Sequence, residues 1–252
     1  MTDHTPLQQG CYYHIYNRAN GQENLFRKDS DYVRFLELYE KYISPVADTY
    51  AWVLMANHFH SLVRIREGSY YKYSRADFKR LNADGSATAD AVRFDDVKWE
   101  TIVANPSASA KSGPDGVNGK DGVNGRKKAN PTNHFSHMFN AYAKYINEKY
   151  SRHGSLFQRP FRRKQVEDEH YLRRLVIYIH NNPVHHGFVK HPLEYPWSSY
   201  HAYLSTDPTN LQREAVLDWF GGIQNFIEVH RDRLYHTPRE GWLEDKSDDD
   251  TQ

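Results

Sequence analysis

Sulfur is scarce in this 252-residue chain, which has three methionines and one cysteine, Cys11. A lone thiol cannot close an internal disulfide, so the fold must hold without covalent staples, as in a reducing compartment. No run of ~20 apolar residues is present to form a membrane-spanning helix, and Met1 to Gln9 lacks the apolar centre of a secretory signal. These absences lead us to expect a soluble, cytoplasmic protein without a membrane partner.

Aromatic side chains are abundant. Trp, Tyr and Phe make up 14% of the chain, and 19 residues are tyrosine, so abundance alone nominates no particular tyrosine for chemistry. The formal net charge of +1 conceals an asymmetry. Arg126 to Lys190 holds 13 basic and 4 acidic residues, whereas Ser205 to Gln252 holds 5 basic and 11 acidic ones. Basic charge interleaved with aromatics is the footprint of a polyanion partner, although a solvated face has the same composition.

Cys11 to Ala19 reads as a first strand. Asp29 or Ser30 can cap a helix whose apolar face is Tyr32, Phe35, Leu36, Tyr39 and Ile43, ended by Pro45. Thr49 to Met55 and His58 to Arg66 alternate on either side of a tight break at Ala56 and Asn57, which predicts a hairpin. From Glu67 to Thr132 the chain turns polar and carries a short tandem Asp-Gly-Val-Asn-Gly repeat at 115–119 and 121–125, which suits a loop-like insertion; Tyr70 to Val103 has enough aromatics for partial order. After a cap at Thr132 or Asn133, a second helix carries Phe135, Met138, Phe139, Tyr142 and Ile146. Phe157 to Val166 is a basic strand candidate. Asp168 can cap a third helix from Glu169 to about Asn181, stopped by Pro183. The order β-α-β-β-α-β-α predicts an α+β fold whose first six elements form a ferredoxin-like antiparallel sheet with helices on one face. We expect one catalytic domain over 11–203, interrupted by the insertion 67–132, and a C-terminal extension over 204–252 with an acidic tail that includes Asp248 to Asp250.

His58 and His60 flank Phe59 on a predicted strand, so the period of two puts both imidazoles on one face. In a chain with 15 histidines the pair leaves two readings open, a metal site and a hydrogen-bonded structural pair. Tyr178 and Asn182 lie four apart on the third helix, one turn from each other. Tyr178 is a candidate nucleophile or a core aromatic. Asn182 is a candidate oxygen ligand or a helix-ending residue.

Three strings carry a resemblance: Trp52-Val53-Leu54-Met55-Ala56-Asn57-His58-Phe59-His60, Phe157-Gln158-Arg159-Pro160-Phe161 and Tyr178-Ile179-His180-Asn181-Asn182-Pro183-Val184. With Tyr195-Pro196-Trp197-Ser198-Ser199-Tyr200 in support, their order and spacing resemble the single-tyrosine HUH transposases of the IS200/IS605 superfamily, and among these the REP-associated tyrosine transposases. The resemblance spans roughly 11–66 and 133–203. It implies that His58 and His60 bind a divalent metal, Mg²⁺ or Mn²⁺, that Asn182 is the third ligand where some relatives have glutamine, and that Tyr178 is the nucleophile. The implied reaction cuts and rejoins single-stranded or hairpin DNA, such as REP-like inverted repeats, through a 5′-phosphotyrosine link. That bond conserves energy, in keeping with the lack of a Walker-type glycine loop.

Arg159, Arg162, Arg163 and Lys164 are candidate contacts to the DNA backbone. The short connection from Val166 to Asp168 favours a monomer that builds its own site over a dimer that exchanges tyrosine helices. Two rival readings are a non-catalytic DNA or RNA hairpin-binding protein and a metal-dependent phosphodiesterase that uses water.

Overall fold

The computed structural model describes residues 6–72, 98–101 and 126–231. The central sheet consists of β1 (Tyr12–Arg18), β2 (Ala47–Met55), β3 (His58–Ile65) and β7 (Arg162–Val166), ordered β2-β3-β1-β7 with every neighbour antiparallel. That is the strand order of a ferredoxin-like sheet. Between β3 and β7 the chain forms β4 (Ser69–Lys72), β5 (Lys98–Thr101) and β6 (Arg126–Lys128), a small separate sheet ordered β5-β4-β6. The insertion therefore contributes strands at both its ends and near its middle, while the tandem repeat at 115–125 lies outside the described residues.

Helices α1 (Asp29–Tyr42) and α2 (Pro131–Lys149) cover one face of the sheet. Their apolar residues close over Tyr13, Ile15, Phe59, Val63 and Ile65 of the strands. Asp31 staples the two helices. Its side chain is fully buried and accepts hydrogen bonds from the Arg27 and Lys28 amides, from Lys149 Nζ at 2.6 Å and from Tyr150 Oη at 2.8 Å. Burial alone would raise this carboxyl, but those donors hold it below its ordinary value.

The other face is covered by α3 (Glu169–His185) and by α4 (Tyr200–Leu204), α5 (Arg213–Trp219) and α6 (Ile223–Arg231). The first six elements thus follow the expected one-sided arrangement, and the third helix with the chain that follows it adds a layer on the opposite side. Residues as far as His230 share the core of α3 because Val216, Phe220 and Phe226 bury against it. Edge strand β2 is covered as well: Leu54 N donates to Trp197 O and Ser199 N to Trp52 O, so the Trp197 to Ser199 segment satisfies an edge that would otherwise stay open.

Three helix ends differ from expectation. Helix α1 is capped by Lys28 and not by Asp29 or Ser30, because Asp31, three residues on, accepts from the Lys28 amide. Helix α2 begins two to three residues earlier, with Asn130 accepting from Asn133 N and Pro131 at the first helical position, where its missing N–H matters least. Helix α3 runs through Pro183 to His185. The stop signal is Gly187, whose left-handed backbone lets Gly187 N bond Val184 O and Phe188 N bond Pro183 O. Asn182 consequently sits inside the helix, on the same side as Tyr178. The basic strand is also shorter than expected, beginning at Arg162, with Phe157 making only an isolated bridge to Ala19.

Candidate active site

Alternation along β3 sends Phe59 into the α1/α2 core and leaves His58 and His60 facing α3. Helix α3 lies across this face with Tyr178 and Asn182 directed at the strand. The Tyr178 ring stands edge-on to His60, centroids 5.5 Å apart, and the His58 ring stands perpendicular to His60 at 5.2 Å. His58 Nε2 lies 3.1 Å from Asn182 Oδ1. One chain therefore brings together the four residues that the sequence nominates, from two elements more than a hundred residues apart.

The Asn57 side-chain oxygen lies 2.7 Å from His58 Nδ1, and in the tautomer that donates to it Nε2 keeps a lone pair. That lone pair faces the carbonyl oxygen of Asn182, another acceptor. Two acceptors at 3.1 Å repel unless a proton or a cation lies between them. Turning the amide over would let Asn182 Nδ2, which is buried without a hydrogen bond, donate to His58 Nε2 and satisfy the pair without metal. With Oδ1 inward, the separation matches the edge of an octahedron, since two cis ligands at ~2.1 Å from an ion are about 3 Å apart. Two imidazoles and an amide oxygen are all groups that can donate a lone pair to a divalent cation. Among the described residues, no three His, Cys, Asp or Glu side chains are arranged to hold a metal ion.

Three more residues belong to this cluster and were not singled out from sequence. His14 on β1 is fully buried, and its Nε2 lies 3.0 Å from His60 Nδ1. Burial, with the Lys164 cation as a second cause, pushes the His14 pKa down to about 3. Burial likewise holds His60 well below the ordinary histidine value, reinforced by His14, His58 and His186. Both rings are thus neutral, the form that binds metal. His185 lies against Tyr178 with ring centroids 5.9 Å apart, and His186 against His58 at 5.2 Å. Period-two spacing links His14 to Tyr12 and Tyr16, but only the register Tyr16↔His60 puts it beside His60.

The basic residues separate. Arg162 pairs with Tyr16 and Lys164 with His14, so these two share the face of the histidines. Arg163 pairs with Ile15 and turns to the other face, where its guanidinium lies 5.1 Å from the Phe161 ring centroid. Arg159 is exposed in the loop before β7.

No family model and no curated protein matches the chain. Among solved structures, that of a REP-associated tyrosine transposase bound to a REP hairpin aligns with 82% of this chain and 87% of its own, at a TM-score of 0.46 and 14% identity. Among the described residues no helix is long and apolar enough to cross a membrane.

Proposed function

We propose that this chain is a metal-dependent tyrosine strand transferase that cleaves and rejoins single-stranded or hairpin DNA, with Tyr178 as nucleophile and His58, His60 and Asn182 as ligands of Mg²⁺ or Mn²⁺. The observation that carries the reading is the convergence of the His58 Nε2 lone pair and Asn182 Oδ1 at 3.1 Å beside the His60 and Tyr178 rings. When bound, the ion would draw charge from the scissile phosphate and stabilise the charge that develops during transfer.

The residues of the chain supply the rest. Tyr178 Oη attacks phosphorus, the bond from phosphorus to the 3′ oxygen breaks, and the 3′ oxygen leaves as a hydroxyl. The tyrosine ends esterified to the 5′ phosphate. A phenol with pKa ~10 is mostly protonated at neutral pH and needs a nearby acceptor or a positive field. The imidazole of His185, its ring centroid 5.9 Å from that of Tyr178, stands beside it for the first role. Tyr178 is only 6% exposed, so its ring is held by packing. Arg162 and Lys164, on the same face, are placed to hold flanking phosphates. We propose a domain over 11–203 onto which α5 and α6 pack, with the insertion as a separate elaboration, and a site completed within one monomer in the cytoplasm.

The test uses a labelled single-stranded hairpin with Mn²⁺, followed by denaturing electrophoresis. A denaturation-resistant protein–DNA adduct that disappears in Tyr178→Phe is the expected result. Cleavage without an adduct would establish water as the nucleophile instead, and binding without cleavage would establish a hairpin-binding protein.

A further inference from the structure

Among the described residues, His14 is the one fully buried imidazole outside the proposed ligands that touches one of them, and the proposed chemistry does not use it. It lies on β1, diagonal to His60 on β3, because Tyr16 is directly opposite His60 and Leu62 directly opposite His14. Its ring is stacked on Tyr16 at 4.7 Å and on His60 at 5.1 Å, which fixes the plane in which it can bond. The contact from His14 Nε2 to His60 Nδ1, 3.0 Å, requires one ring to donate and the other to accept.

We propose that His14 is a positioning residue: it accepts the Nδ1 proton of His60 and thereby holds His60 in the tautomer whose Nε2 lone pair is available to a divalent cation. This rests on the metal reading of the site. A neutral imidazole carries a single N–H. Placing it on Nδ1 opens Nε2, whereas the reverse assignment, His14 donating, puts the proton on Nε2 and closes it to metal. His14 then carries its own proton on Nδ1, an atom buried without a hydrogen bond. Metal-bound imidazoles generally donate their second N–H to an oriented acceptor, and loss of such an acceptor typically lowers metal affinity 10–100-fold. Here the acceptor is another histidine in place of the commoner carboxylate or carbonyl.

Two measurements on the full chain test this. Long-range ¹H–¹⁵N spectra of the metal-free protein, assigned with His60→Ala, are expected to show His60 protonated at Nδ1. Titration with Mn²⁺ followed by electron paramagnetic resonance is expected to show ~10–100-fold weaker binding in His14→Phe, with most of the affinity restored in His14→Gln, whose amide oxygen can accept. His60 protonated at Nε2 in the wild type, or a folded His14→Phe that binds Mn²⁺ as tightly as the wild type, overturns the inference. If His14→Phe shows no cooperative melting transition, the wild-type spectrum and the affinity of His14→Gln decide. Wild-type protein that binds no Mn²⁺ overturns the metal reading itself, and the wild-type spectrum still decides the role of His14.

Discussion

The two faces of the central sheet are built from the same strands and follow opposite rules. On the α1/α2 face, Phe35, Phe59, Phe135, Phe139 and Tyr142 interlock, with neighbouring ring centroids 5.1–6.3 Å apart, and the one hydroxyl in this group donates to Leu25 O at 2.8 Å. Nothing there needs a ligand to be satisfied. On the α3 face, His14, His58, His60, Tyr178 and Asn182 take the same kind of space, but lone pairs converge and two side-chain nitrogens are buried without hydrogen bonds. Stability is concentrated where polar groups are absent or fully paired, and the proposed chemistry where pairing is left incomplete.

The largest effect that would break this contrast is on the histidine face. Tyr178→Phe is expected to lower covalent adduct formation ~10⁴-fold or more while leaving the thermal midpoint near that of the wild type; retained adduct in that variant would show that another residue attacks. On the aromatic face the reverse holds. Phe59→Ala should remove about 3–5 kcal/mol in urea denaturation, because the emptied space lies among rings that cannot collapse into it. Asp31→Ala should remove about 3 kcal/mol, the lower end for breaking a buried ion pair, since Lys149 is partly solvated and can turn to water.

Acid sharpens the comparison further. Burial pushes the pKa of His134, under α2, down to about 4, against the hydrogen bond to Tyr42 O. A histidine whose folded pKa lies below its unfolded value binds more protons when unfolded, so its contribution is complete above ~6.5 and is lost as pH falls from there towards about 4. Asp31 has the carboxylate sign: its contribution is complete above an unfolded pKa of ~3.9 and is lost as pH falls below that. Stability measured against pH should therefore decline first between ~6.5 and about 4, with a shallower slope in His134→Gln, and again below ~4 with a slope missing in Asp31→Ala.

The smallest expected effect separates the two sides of β7. Arg162→Ala and Lys164→Ala should each weaken hairpin binding and reduce the salt slope by about one. Arg163→Ala, on the aromatic face, should leave that slope unchanged, and an equal loss in all three would erase the distinction between the faces.

That His58 shares a face with His60, and Tyr178 with Asn182, was legible because strand and helix periodicities act over neighbouring residues, whereas the roles proposed for them came from the family resemblance. The six-element order was legible for the same reason. His14 was not, because its role depends on strand register between β1 and β3, and single-sequence patterning says nothing about which strands pair. The end of α3 was misplaced because proline is a strong local stop signal, yet here the left-handed Gly187 closes the helix beyond it. His180 shows the limit most clearly. It is fully buried two residues after Tyr178, bonded to His230 Nε2 at 2.9 Å and Ser199 Oγ at 2.8 Å, and no local pattern links those three positions.

By itself, then, the sequence determined which side chains share a face, since spacings of two and four residues are properties of local backbone geometry. Tertiary structure alone decided which faces meet. The pairing of β1 with β3 and the laying of α3 across them brought His14 to His60 and Asn182 to His58, because contacts between distant segments depend on packing the whole chain at once. On the proposed reading, those two contacts select which nitrogen lone pairs remain available to a cation.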